Sequence, residues 1–163
     1  MKDQDEFCSK VKQCEKAMYF LAFSIVRNEQ DAADVTSEAI LRAFVNINAL
    51  KNDDLFKPWI LKIVHNTAIE LVRKNSKIID IDELNDKAEQ SKENDVETTI
   101  ALRQAIENLK QPYRTVVILF YYENLSTAQI AKITGVSILN VRQQLSRARK
   151  QLKKVLKEDF FNE

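Results

Sequence analysis

A cluster of cations and amides near the C-terminus carries the side chains best suited to reading double-stranded DNA. Asn140, Arg142, Gln143, Ser146 and Arg147 fall opposite the apolar series Val141, Leu145, Ala148, Leu152 and Val155 on one helical segment. Arginine and glutamine make paired hydrogen bonds to guanine and adenine edges, each worth about 1–3 kcal/mol of discrimination. Arg149, Lys150, Lys153 and Lys154 lie farther along. They are better placed for phosphates, which fix register without reading sequence.

The stretch that feeds this segment runs from Ser126 to Leu145, and it contains Gly135, the one glycine among 163 residues. Glycine takes the left-handed conformation at a tight helix–helix turn without steric penalty. Ala131, four residues earlier, is small enough for two helices to cross closely, and Ile130, Val136, Val141 and Leu145 would fill their joint core. Ser137 is positioned to cap the second helix. The spacing predicts a helix-turn-helix over about 126–145 that sets a basic helix into the major groove.

Two more surfaces carry chemistry. Lys62, Asn66 and Arg73 recur opposite the apolar series Ile60, Ile63, Val64, Ala68 and Leu71, with Trp59 and His65 nearby and Lys74 and Lys77 following. An amide, an aromatic ring and several cations suit single-stranded nucleic acid, where stacking and backbone charge replace groove reading. Trp59 and His65 are also ordinary core residues in such a setting. Farther upstream, Asp31, Asp34, Glu38 and Arg42 share one side of a helix. Acids in a first turn complement the helix dipole, and paired carboxylates also serve acid–base catalysis. No nucleophile motif or phosphate loop accompanies them, so this side reads as a protein-binding face.

The elements that position these groups are helices. One glycine, two prolines and 30% charged residues leave little turn chemistry for strands and hairpins. Apolar periodicity marks helices over residues 8–27, 31–46 and from Lys57-Pro58 to 73–77, with a polar loop from Asn48 to Leu55. The second helix presents Val35, Ala39, Ile40, Ala43, Phe44 and Ile47 as its apolar stripe. Another helix starts near Thr98, and Pro112 opens the next, with Val116, Val117, Leu119, Phe120 and Tyr121 as its core. Between these halves, residues 80–97 hold eight acids against two lysines, a net of −6, whereas residues 142–157 hold seven bases and no acid. The whole-chain charge of +1 hides that segregation, and local fields decide nucleic-acid binding. The expected fold is all-α: two small helical domains, 1–77 and 98–163, joined by a flexible acidic linker, 78–97, read as a solvated tether, with shielding of the basic faces in the free protein as the alternative.

No apolar run approaches the ~20 residues that span a bilayer, and the opening Met1 to Phe7 is polar and acidic, unlike a signal peptide. A cytoplasmic location is expected. Cys8 and Cys14 have no further thiol beside them and His65 is the sole histidine, so free thiols are expected, with no metal site and no cofactor.

In this order the pieces resemble the RNA polymerase sigma factors of the extracytoplasmic-function (ECF) group of the sigma-70 family. Asp31 to Phe44 looks like that family's core-binding helix in region 2, Phe56 to Lys74 is similar to its promoter-melting helix, and Leu102 to Lys154 resembles region 4. The resemblance implies a transcription initiation factor, not an enzyme, that brings core RNA polymerase to promoter DNA. It implies that Asp34, Glu38 and Arg42 face the β′ clamp helices, with the β flap as a second polymerase contact. Residues 48–55 and Asn66 would take a flipped base of the −10 element, and Trp59, Lys62, Arg73 and Lys74 would hold the melted strand. Asn140, Arg142, Gln143, Ser146 and Arg147, with Arg149 and Lys150, would read and grip the −35 duplex. An anti-sigma factor, often membrane-anchored in the family, is an implied partner. Ser37 stands where the family usually has glutamine, and Leu139 where it usually has glycine. The residues alone also admit a conventional helix-turn-helix repressor or activator whose first seventy residues dimerise or sense a ligand, and a helical enzyme using Asp34 and Glu38.

Overall fold

The computed structural model describes the backbone of residues 3–78 and 97–161 and the side chains of 3–76 and 100–157. The described residues form seven α-helices: α1 (Gln4–Val26), α2 (Glu29–Val45), α3 (Phe56–Ile78), α4 (Glu97–Glu107), α5 (Tyr113–Val117), α6 (Thr127–Thr134) and α7 (Ile138–Phe161). No strand occurs among the described residues. The chain divides into two compact units, Met1–Glu89 and Gln90–Glu163. The expected acidic linker lies outside the described residues except for its two ends, Ile78 and Glu97, which close α3 and open α4.

The first unit packs α1, α2 and α3 around Met18, Leu21, Ala22, Ala32, Val35, Ala39, Ile60, Leu61, Val64 and Ala68. Its helix α1 begins earlier than periodicity suggested, because Asp3 caps it by accepting from the Asp5 amide and Phe7 is drawn into the core. The Phe7 ring meets Phe44 at 5.4 Å and Phe56 at 6.0 Å, both edge to face. With the sole glycine spent elsewhere, α1 ends on Arg27 in the left-handed region, φ 64°. Such a conformation costs a non-glycine residue about 1–2 kcal/mol.

Helix α2 is capped by Asn28, whose Oδ1 accepts from the Asp31 amide at 2.7 Å. It buries mostly alanines, Ala32, Ala39 and Ala43, together with Val35 and Thr36. That narrow face corrects the expected stripe. Phe44 is 48% exposed, leaning on Phe7, and Ile40 and Ile47 are only half-buried. One residue past Ala43 is a 100° rotation, which carries Phe44 to the edge of the packed face. In α3, Ile63 and Leu71 are likewise half-buried, whereas Leu61, absent from the expected core, is fully buried. The polar loop between α2 and α3 holds two 3₁₀ turns, Ile47–Ala49 and Asp53–Leu55.

In the second unit Arg114 is buried and its Nη1 donates to the Leu109 carbonyl at 2.9 Å, binding the end of α4 to α5. Helix α5 continues into one π-helical turn, Ile118–Tyr122, where the Glu123 amide donates to the Ile118 carbonyl at 3.2 Å. The wider turn changes the side-chain register. Ile118 joins the core, Phe120 is half-buried and Tyr121 is 50% exposed, so the expected core places of Phe120 and Tyr121 are corrected. Ser126 and Gln129 form a reciprocal capping box at the start of α6. Gly135 closes α6 at φ 77°, its amide donating to the Ala131 carbonyl at 2.9 Å. Ile130, Val141 and Leu145 are buried in the joint core as expected, joined by Ala131 and Ala148, but Val136 is only half-buried. Burying one such large aliphatic side chain is worth roughly 1.5–3 kcal/mol.

Candidate nucleic-acid and polymerase interfaces

Helix α7 starts where the Ser137 Oγ accepts from the Asn140 amide at 3.1 Å, the cap expected from sequence. Behind it Val141, Leu145 and Ala148 are buried at spacings of four and three, fixing the inward line. Asn140, Arg142, Gln143, Ser146, Arg147 and Lys150 are therefore all turned outward and exposed. Among the described residues no acidic side chain pairs with Arg142, Arg147 or Lys150, so their charge is available to an anion. Arg149 departs from the expectation. Its Nε donates to the Tyr121 hydroxyl at 2.6 Å, and its guanidinium lies 5.5 Å from the Phe120 ring centroid and 5.6 Å from that of Tyr121. An arginine stacked and bonded in this way is held on the flank of α7 facing the π turn, not in the outward row. Lower down, the apolar stripe opens: Leu152 is half-buried and Val155 is 41% exposed.

That opening forms a groove of about 990 Å³ lined by Leu102, Ile106, Val117, Tyr121, Tyr122, Leu152 and Leu156, with Arg149, Lys153 and Lys157 on it. It was not among the expected sites. Its only signal was an apolar series on α7 longer than its neighbours can cover.

In the first unit, Trp59, Lys62, Asn66 and Arg73 share one outward stripe of α3 at spacings of three, four and seven, opposite buried Ile60, Leu61, Val64 and Ala68. Lys62, Asn66 and Arg73 are exposed. Trp59 is half-buried with its ring tilted against Phe56 at 5.8 Å. His65 is half-buried and its Nδ1 finds no partner. Burial lowers its pKa, opposed by a hydrogen bond with the Asn66 side chain. Lys74 is set apart from this stripe. It lines a shallow groove with Asp34, Glu38, Arg42, Thr67 and Glu70, which corrects its grouping with Arg73.

Arg42 is the hub of that groove. Its Nε meets Glu38 Oε1 at 3.1 Å and its Nη1 meets Glu70 Oε2 at 2.8 Å and the Thr67 Oγ1 at 3.4 Å, linking α2 to α3. The hydrogen bond to Glu70, then that to Glu38, raises the guanidinium pKa above its ordinary value. Glu70 was not among the expected site residues, because its partner lies 28 positions away on another helix. Asp34, Ser37 and Glu38 are exposed on α2, and the same side continues into Leu41 and Val45, which are 62% and 78% exposed. A helix face that is acidic at one end and apolar at the other suits a protein partner.

Cys8 is exposed, Cys14 is buried, and neither is in a disulfide. Among the described residues no three His, Cys, Asp or Glu side chains come close enough to hold a metal ion. No described helix is long and apolar enough to cross a membrane.

Residues 11–78 match the Sigma-70 region 2 family and residues 99–152 match Sigma-70, region 4. The RNA polymerase sigma factor SigV of Bacillus subtilis is 36% identical over 144 residues, covering 87% of this chain and 86% of the relative. The ECF RNA polymerase sigma factor SigW of the same organism is 28% identical over 175 residues, covering 96% and 91%. Among solved structures, the sigma factor RpoE of Bartonella quintana, in complex with the anti-sigma factor NepR, has a TM-score of 0.77 at 20% identity, with 94% of this chain and 98% of that chain covered. CnrH in complex with the cytosolic domain of CnrY has a TM-score of 0.69 at 21% identity, covering 97% and 92%. Those two structures bear on the fold, and the family matches together span both units. The chain belongs to the sigma-70 family of RNA polymerase sigma factors, in its extracytoplasmic-function group.

Proposed function

We propose that this sigma factor divides promoter recognition between two nucleic-acid faces of different chemistry. As a member of its family the chain is a transcription initiation factor that directs RNA polymerase to promoters. The −35 duplex is assigned to Asn140, Arg142, Gln143, Ser146, Arg147 and Lys150 on α7. The melted −10 strand is assigned to Trp59, Lys62, Asn66 and Arg73 on α3, with residues 48–55. The observation that carries this division is the contrast between the two outward rows. One is a row of arginines and amides on the second helix of a helix-turn-helix, suited to base edges in a groove. The other is an amide, two cations and a half-buried tryptophan along one stripe of α3, suited to unstacked bases.

Core polymerase is assigned to two protein-binding faces. Asp34 and Glu38, with Arg42 braced by Glu70 and Lys74 alongside, would meet the β′ clamp helices. The apolar groove beside the π turn, rimmed by Arg149, Lys153 and Lys157, would take the β flap. An anti-sigma protein that covers these faces is the regulator this reading implies, in keeping with the RpoE structure, which holds an anti-sigma factor. On this division residues 1–77 and 98–163 act as separate functional domains. The conventional repressor or activator is disfavoured, because the family matches include the first unit as well as the helix-turn-helix. Sigma factors are not enzymes, and Asp34 and Glu38 sit on an open face.

The test is in vitro transcription with core polymerase lacking any sigma subunit, followed by start-site mapping. Addition of this chain is expected to produce new, discrete starts preceded by shared −35 and −10 sequences. A chain that neither binds core polymerase nor changes its start sites would overturn the reading.

A further inference from the structure

The first turn of α7 carries an apolar side chain that the fold leaves uncovered. Leu139 is 63% exposed, the largest exposure among the large apolar side chains described in the second unit. It lies one turn before Gln143, two before Ser146 and three before Lys150, at spacings of four, seven and eleven. Leu139 therefore heads the same outward row, opposite Val141, Leu145 and Ala148. In helix-turn-helix proteins the first residues of the second helix reach the base edges. Asn140 beside it has its amide fixed by Ser137, so this turn is ordered.

An apolar side chain in the major groove meets mostly hydrogen-bonding groups. Guanine, cytosine and adenine edges present donors and acceptors that a leucine would strip of water without replacement. Thymine alone presents a methyl group there. Gln143, the next residue in the row, has the side chain that pairs with adenine.

We propose that Leu139 is a specificity-determining residue that packs on the C5-methyl of one thymine in the upstream promoter duplex. The proposal rests on the assignment of α7 to that duplex. Burial of one methyl group is worth about a fourfold preference for thymine at that position. Neither the arginines nor the amides of α7 would supply this preference, because they read hydrogen-bonding groups.

The test uses the full chain with core polymerase on a promoter from which it initiates. Each thymine of the upstream element is replaced in turn by uracil, which removes the methyl and keeps every hydrogen-bonding group. The expected result is one position at which uracil lowers open-complex formation about fourfold with the native chain and has no effect with Leu139→Ala. Arg147→Ala serves as the control for duplex reading. Indifference of the native chain to uracil at every position, while Arg147→Ala still loses selectivity, refutes the thymine contact and leaves the α7 assignment standing. Indifference to both changes removes the α7 assignment as well. A uracil effect that persists in Leu139→Ala gives the methyl to another residue. Loss of core-polymerase binding in Leu139→Ala makes the residue a protein contact, and the proposal fails.

Discussion

Gly135→Ala separates two reasons why a glycine can be required. A glycine can be needed because a Cβ would clash or because the backbone is left-handed. At Gly135 a Cβ would meet nothing within 4 Å, whereas φ is +77°. The whole cost is therefore backbone strain, about 1–2 kcal/mol for alanine in this region. Alanine also restricts the unfolded chain, which returns about 0.4–1 kcal/mol. The net expectation is a loss of about 1 kcal/mol in the second unit, and less for Gly135→Asn, since asparagine tolerates the left-handed region. Amide hydrogen exchange at Val141 and Leu145, both in the joint core of α6 and α7, reads this directly. Exchange should quicken about fivefold in the alanine variant, because each 1.4 kcal/mol is a factor of ten. A loss above about 3 kcal/mol would mean that the turn is packed and not merely bent. An unchanged or slower exchange would mean that the left-handed turn is not what the glycine supplies.

Four other outcomes follow from the faces. Asn66→Ala should leave duplex binding intact and impair strand opening, read by permanganate reactivity of unpaired thymines; unchanged opening removes Asn66 from the mechanism. Arg147→Ala should weaken promoter selectivity and spare core-polymerase binding; loss of core binding would refute the division between the units. Glu70→Gln breaks an ion pair between side chains that are 39% and 58% exposed. It should cost the first unit under about 1 kcal/mol in a denaturation followed by Trp59 fluorescence, because solvent screens such pairs; a loss above about 2 kcal/mol would contradict that. The lowered His65 pKa means that folding favours the neutral ring. Stability of the first unit should be full above about pH 6.5 and fall as pH drops from there toward the folded pKa, since the unfolded chain then binds the extra proton. His65→Gln should flatten that slope in urea midpoints taken between about pH 7.5 and pH 5; an unaltered slope assigns it to other groups.

Most of what depends on neighbours along one helix was legible without coordinates, although the Asp3 cap that starts α1 early was not. The all-helical class followed from one glycine, two prolines and apolar periodicity. Gly135, Ala131 and Ser137 announced the helix-turn-helix, and an inward line at Val141, Leu145 and Ala148 set Arg142, Gln143, Ser146 and Arg147 outward. These features repeat with a fixed period of 3.6 residues, so a linear string encodes them. The tertiary structure decided the rest. Arg42 turns to Glu70, Lys74 joins the α2 groove, Arg149 is taken by Tyr121, and Phe44 is left at the edge of its helix. Each of these depends on which flank of a helix a distant element crosses, or on a π turn that shifts side-chain register within five residues. Periodicity tells inside from outside on one helix, but a side chain on the boundary between them takes its partner from packing geometry that no local spacing contains.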